Sequence, residues 1–120
     1  MLAERAAAMD QVFESEGFAE RMVCESNLML GRYSEAVRAC EAAAARNNWW
    51  LDQAWLVAGY AQQEEAAKAA IAAAELLKRQ PEFTIDKFKA LDPAARNPAY
   101  LRRAEAHLYA GLRKAGLPDR

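Results

Sequence analysis

The chain has 120 residues, which suffice for one domain with a modest core and are too few for two. Its formal net charge of −1 argues against a general nucleic-acid binder, and no apolar run reaches the ~20 residues that a membrane-spanning helix needs. Alanine supplies much of the apolar share, glycine and proline are scarce, and no stretch alternates like a strand, so the composition predicts an all-α protein.

The first three predicted helices occupy the N-terminal part of the chain. An apolar stripe predicts a helix over residues 1–16. A second helix spans about 18–30 and ends at Gly31, because glycine favours the left-handed turn after a helix. A third begins at Tyr33 and ends in a polar turn over 46–48. Turns this short predict that neighbouring helices run antiparallel.

The fourth predicted helix, over 50–62, is apolar on nearly all faces. Such a helix must be covered on more than one side, so we expect it in the middle of the molecule. A fifth helix runs from about 64 to 79 and stops before Pro81, because proline disfavours helix at the residue before it. A short helix over 84–90 follows.

The last predicted helix has clear signals at both ends. Asn97 can cap its N-terminus, and Pro98 suits the first helical position, where no backbone donor is needed. Gly116 supplies a left-handed turn after the helix, and Pro118 prevents its continuation. The sequence thus predicts helix hairpins from one end to the other.

The order of predicted helices contains a sequence repeat of one helix pair. Residues 28–37 read Leu-Met-Leu-Gly-Arg-Tyr-Ser-Glu-Ala-Val, and they resemble the turn between the two helices of a tetratricopeptide unit. One unit further on, four residues stand at the family's intervals for leucine, tyrosine, alanine and a closing proline: Leu56, Tyr60, Ala69 and Pro81. The chain departs from the family pattern at Gln53, Val57 and Ala73, which replace tryptophan, glycine and phenylalanine.

The resemblance implies antiparallel helix hairpins that stack as a short tetratricopeptide-like α-solenoid. Two units are fewer than the roughly three that such stacks usually need, so we expect capping helices at both ends. The predicted single domain, 1–120, is divided into an N-terminal capping helix (1–16), a first repeat (17–49), a second repeat (50–83) and C-terminal capping helices (84–120).

A narrower resemblance involves segments 48–50, 80–85, 97–100 and 111–118. These segments are similar to the C-terminal repeat region of some bacterial class III adenylate cyclases, in which a cyclase domain precedes the helical repeats. This chain offers no strands for such a catalytic domain. The resemblance therefore implies a regulatory or interaction role, and no cyclase activity.

In tetratricopeptide folds the first helix of each pair lines a groove that takes a peptide or helix of a partner protein. The resemblance implies six partner-binding residues here: Arg21, Glu25, Ala54, Trp55, Ala58 and Gln62. We expect a non-catalytic protein–protein interaction scaffold that uses no metal, cofactor, nucleic acid or membrane. The alternative is a homo-oligomerisation module, such as a homodimer, or a regulatory linker of a larger cyclase-like protein.

The remaining expectations concern three side chains and the compartment. Cys24 and Cys40 lie in predicted helices and form no C-x-x-C pair, so we expect buried reduced thiols, with a disulfide between facing helices as the alternative. His107 has no nucleophile or metal ligand near it in sequence, which favours a hydrogen-bonded structural role. The N-terminus lacks the pattern of a signal peptide, and we expect a cytoplasmic protein.

Overall fold

The computed structural model describes residues 17–46 and 49–120. The predicted capping helix over 1–16 and most of the predicted turn over 46–48 lie outside the described residues. Within the described part the fold is all-α and contains no strand, which confirms the predicted class. The helices are α1 (Phe18–Met29), α2 (Tyr33–Arg46), α3 (Trp50–Gln62), α4 (Ala66–Arg79), α5 (Ile85–Ala90), α6 (Pro98–Ala104) and α7 (Ala110–Lys114).

Two hairpins, α1 with α2 and α3 with α4, are stacked through the contact between α2 and α3. The first hairpin turns at Gly31, which adopts a left-handed φ of 78°. Its N–H donates to the Leu28 carbonyl (3.0 Å), and the N–H of Arg32 donates to the Asn27 carbonyl (2.8 Å). These bonds satisfy carbonyls that the end of α1 would otherwise leave unpaired.

The second hairpin makes the same kind of turn without a glycine. Glu64 adopts a φ of 62°, and the next N–H, that of Glu65, donates to the Tyr60 carbonyl at 2.9 Å. A side chain in the left-handed region is strained by its Cβ atom. The helix that follows begins at Ala66 rather than at the predicted residue 64, because the turn uses the two glutamates.

Helix α3 lies at the centre of the described fold, as its sequence predicts. It contacts α2, α4 and the C-terminal part of the chain, and its residues 54–59 are all buried. Small residues let these neighbours approach closely. A Cβ atom at Gly59 would stand 2.8 Å from the Val37 Cγ2 atom of α2, so only glycine fits there without a shift.

The C-terminal helix consists of α6, a π-helical turn over Glu105–Tyr109, and α7, which follow one another without a break. Its start confirms the prediction, since the Asn97 side chain accepts from the N–H groups of Ala99 (2.9 Å) and Tyr100 (3.3 Å). This helix packs on α3 and also contacts α1. It therefore lies across the face on which the tetratricopeptide resemblance places an open groove.

The expectation of reduced thiols is wrong, because Cys24 of α1 and Cys40 of α2 form a disulfide. Their Cα atoms are 5.0 Å apart, within the range that a disulfide spans. The two cysteines lie equally far along the chain from Arg32, in the turn, so folding the hairpin brings them face to face. This symmetry about the turn is a sequence signal that favours the disulfide over reduced thiols.

Candidate functional site

A cleft of about 330 Å³ opens where the start of α3 meets α1, the segment after α5 and the C-terminal helix. We call it the tryptophan cleft. Residues from all four segments line it, among them Glu25, Trp49, Trp50, Trp55, Asp92 and Tyr109. Its mouth is partly apolar, because Trp49 and Leu91 keep 46% and 65% of their surface exposed.

Aromatic contacts hold the inner wall of the tryptophan cleft together. The Trp50 ring meets the rings of Phe83 and Phe88 edge-on, with centroids 6.3 Å apart in both pairs. Phe88 in turn meets Tyr109 of the C-terminal helix edge-on at 6.2 Å. Edge-to-face pairs of this kind stabilise the packing beyond the area that they bury. They fix α5 and the C-terminal helix against the start of α3, so the wall is pre-formed.

Two carboxylates, of Glu25 and Asp92, face this aromatic wall. The Asp92 oxygens accept hydrogen bonds from the N–H of Ala94 (2.9 Å) and the hydroxyl of Tyr100 (2.6 Å). Both donors are neutral, so the bonds orient the carboxylate and leave its negative charge in place. Among the described residues, Glu25 makes no hydrogen bond and no ion pair with another side chain.

The charge environment of Glu25 is unusual for a glutamate. Burial raises the pKa of Glu25 to about 7, Arg21 opposes this rise, and the negative charges of Asp92 and Asp52 add to it. Desolvation favours the neutral acid, and like charges act in the same direction. Because a perturbed carboxylate in a cleft is typical of functional sites, Glu25 stands out from the other acidic side chains.

Arg21 does not supply Glu25 with a full counter-charge, because it forms a fork with Asp52. Its Nε and Nη2 atoms donate to the two Asp52 oxygens at 2.7 Å and 2.9 Å, and both side chains are buried. The Arg21 guanidinium also lies 4.7 Å from the centre of the Trp49 ring. This arrangement positions Trp49 at the rim of the tryptophan cleft.

The structure brings only part of the predicted partner-binding set together. Glu25 and Trp55 line the tryptophan cleft, and Arg21 lies next to it against Trp49. The other three predicted residues are elsewhere: Ala54, Ala58 and Gln62.

The prediction of an open groove along α3 is corrected by the C-terminal helix. Ala54 and Ala58 have no exposed surface, and Ala58 lies under Gly111. The Gln62 amide donates to the carbonyls of His107 (2.8 Å) and Ala106 (3.2 Å) in the π-helical turn. Ala58 and Gln62 thus contact the chain's own C-terminal helix and Ala54 is fully buried, so the three residues do not line an open groove.

Several cleft residues were missed by sequence reasoning. Trp49 and Trp50 are not among the six predicted partner-binding residues, yet both line the cleft, and Trp49 is exposed at its rim. Asp92 and Tyr109 come from segments far along the chain, and no local pattern connects them to α3. A pair of adjacent tryptophans at a helix start was the available signal, because side chains at neighbouring helix positions point in different directions and need cover on different sides.

Three further observations limit the chemistry of the described residues. They contain no group of three or more histidine, cysteine or acidic residues that could hold a metal ion. None of their helices is long and apolar enough to cross a bilayer. His107 forms a hydrogen bond with Tyr33, with Nδ1 and Oη 2.6 Å apart, which confirms that this side chain is hydrogen-bonded within the fold.

No family model, no curated protein and no solved structure matches the chain.

Proposed function

We propose that this chain is a non-catalytic scaffold that binds a peptide segment of a partner protein in the tryptophan cleft. The observation that supports this proposal is the cleft itself: about 330 Å³, walled by aromatic rings, with apolar side chains exposed at its mouth. Its volume is at the lower end of the range for ligand pockets and suits one or two side chains. Clefts lined by tryptophan and tyrosine are typical of the anchor positions in protein interfaces.

The proposed role is the one predicted from the sequence, but the proposed binding surface is a different one. A tetratricopeptide protein would use the groove along α3, which the C-terminal helix covers here. The tryptophan cleft lies beside that covered face and shares Trp55 with it. We further propose, from the resemblance to the repeat region of bacterial adenylate cyclases, that the scaffold acts as a regulatory or interaction part of a signalling protein.

The compartment is part of the proposal. A cytoplasmic location stays a prediction, and the Cys24–Cys40 disulfide argues against it, because the reducing cytosol usually keeps such thiols reduced. A partner encountered in an oxidising compartment is therefore the stronger expectation. Mass-spectrometric labelling of thiols in protein isolated from its native cells, with alkylation at lysis, distinguishes the two locations.

The experiment that tests the proposal is a selection of peptides by display of a randomised library on the immobilised protein. Selected peptides are then titrated into the ¹⁵N-labelled protein, and the three tryptophan indole N–H signals report where they bind. We expect the signals of Trp49, Trp50 and Trp55 to shift together.

Two surface variants give matched controls. Leu91→Arg places a long charged side chain at the mouth of the tryptophan cleft and should abolish peptide binding. Ile71→Arg makes the same change on α4, at a residue that is 72% exposed and lines no described part of the cleft. Equal binding by Leu91→Arg, Ile71→Arg and the wild type would overturn the proposed function.

A further inference from the structure

The side chain that the tryptophan cleft accepts can be inferred from its charges and shape, and this inference rests on the proposed function. We propose that the cleft binds an arginine of the partner peptide, with the guanidinium stacked on the tryptophan rings that line the cleft and paired with Glu25 and Asp92. A cleft with these walls and charges fits a flat cation better than a neutral or acidic side chain.

The charged side chains in and beside the tryptophan cleft do not balance one another. Arg21 is matched by Asp52, as the fork between them shows. Asp92 is held by two neutral donors, and Glu25 has no cation paired with it among the described residues. Glu25 and Asp92 therefore present negative charge to the cleft without a paired cation in the described part of the chain, and this charge favours a cationic side chain. The aromatic walls lower the local dielectric constant, which strengthens the attraction for such a cation.

An arginine of this same fold already makes the contacts proposed for the bound arginine. Arg21 already combines the three contacts that we assign to the bound arginine: a fork with a carboxylate at 2.7 Å and 2.9 Å, and a stacked tryptophan at 4.7 Å. This internal arginine borders the cleft through Trp49. A planar guanidinium can fork and stack flat at once, whereas a lysine ammonium contacts a ring only as a point charge, as Lys89 does 4.8 Å from the centre of the Tyr109 ring.

The protonation of Glu25 should respond to a bound cation. Burial keeps the pKa of Glu25 near 7. The charged groups that also act on it are Arg21 on the same helix, Asp92 after α5 and Asp52 on α3. An arriving cation favours the ionised form and lowers this pKa, so binding releases a proton at neutral pH. Affinity should rise with pH between 6 and 8, by up to about tenfold if only the ionised form binds.

The test uses the peptides selected on the wild-type protein. We expect arginine to be enriched at one anchor position among them. Each selected peptide is then synthesised with arginine, lysine or citrulline at that position, and dissociation constants are measured by fluorescence anisotropy. Citrulline keeps the planar shape and removes the charge, so it should weaken binding by about tenfold or more, and lysine should fall between the two.

Charge-removing variants locate the contact. Glu25→Gln and Asp92→Asn keep the side-chain shape, and each should weaken the arginine peptide while leaving the citrulline peptide nearly unchanged. Glu25→Gln should also remove the dependence on pH between 6 and 8. Glu35→Gln, an exposed glutamate on α2, is the control and should bind like the wild type. Circular dichroism confirms that each variant is folded.

The outcomes separate the two proposals. Peptides that shift the cleft signals without an enriched arginine, or that bind equally with citrulline, would overturn the arginine inference and leave peptide binding in place. Equal affinity of the protein for the lysine and arginine peptides would contradict the stacking of the guanidinium on the tryptophan rings. A selection that yields no peptide at the cleft would overturn the proposed function, and the inference with it.

Discussion

Gly111 of the C-terminal helix lies so close to Ala58 of α3 that a Cβ atom at position 111 would stand 2.8 Å from the Ala58 carbonyl oxygen. This oxygen belongs to the backbone of a buried helix and cannot rotate away. Gly111→Ala must therefore push the two helices apart, at a cost of about 1–3 kcal/mol that alanine's better helix propensity reduces by at most about 1 kcal/mol.

Urea unfolding measures the net loss for Gly111→Ala, which we expect to be about 1–2 kcal/mol. Ser26→Ala is the control, because it also introduces an alanine into a helix but at an exposed position of α1. It should change the free energy of unfolding by about 0.5 kcal/mol or less. An unchanged midpoint for Gly111→Ala would contradict the close approach of the two helices.

This contact also marks the limit of what the sequence could predict. The helix boundaries follow from local signals such as Asn97 before Pro98, and the central place of α3 follows from its apolar character. The docking of the C-terminal helix depends on one glycine meeting one alanine across more than fifty residues, and no local pattern specifies that. The tryptophan cleft forms only after this docking, so only Glu25 and Trp55 of the six predicted residues line it.

The disulfide makes the stability of the fold depend on reducing agents. Cys24 and Cys40 are 16 residues apart in sequence, and closing a loop of this size stabilises a fold by about 3 kcal/mol in the chain-entropy model. We expect dithiothreitol to lower the melting temperature of the wild type. The double variant Cys24→Ala, Cys40→Ala should melt at the same temperature with and without it. Two titratable thiols in the unreduced, unfolded protein would show that the bond is absent.

The buried fork between Arg21 and Asp52 gives a second stability prediction. Asp52→Ala leaves a buried guanidinium with its main counter-charge removed, which typically costs about 3–5 kcal/mol. Replacing both partners by apolar residues, Arg21→Met with Asp52→Leu, should recover most of that loss, because neither charge then remains buried. A double-mutant cycle built from Arg21→Met, Asp52→Leu and their double variant, measured by urea unfolding, gives the coupling energy. A coupling near zero would mean that solvent screens the pair.

The strained turn at Glu64 predicts a stabilising change. Glycine adopts a φ of 62° without the Cβ clash that costs other residues about 1–2 kcal/mol, although it also gives the unfolded chain more freedom. Glu64→Gly removes an ion pair with Lys114 at 3.2 Å, but both side chains are exposed and such pairs contribute little. We expect a net gain of about 0.5–1 kcal/mol and a higher melting temperature. Glu65→Gly, one residue on at a negative φ of −92°, should instead be neutral or destabilising.

The raised pKa of Glu25 predicts how stability changes with pH when the tryptophan cleft is empty. The pKa of Glu25 is about 7 in the fold, compared with its usual 4.5, so between these values the folded protein binds more protons than the unfolded chain. The contribution of this site to stability is therefore complete below pH 4.5 and is lost as the pH rises through 7. Glu25→Gln, which stays neutral, should match the wild type at pH 4.5 and exceed its stability at pH 8, by on the order of 1–3 kcal/mol.

Thermal melts of both proteins at the two pH values measure this difference, with Glu35→Gln expected to follow the wild type at each. A wild type that equals Glu25→Gln at pH 8 would mean that the carboxylate is ionised in the empty cleft without penalty, and the need for a bound cation would lose its physical basis.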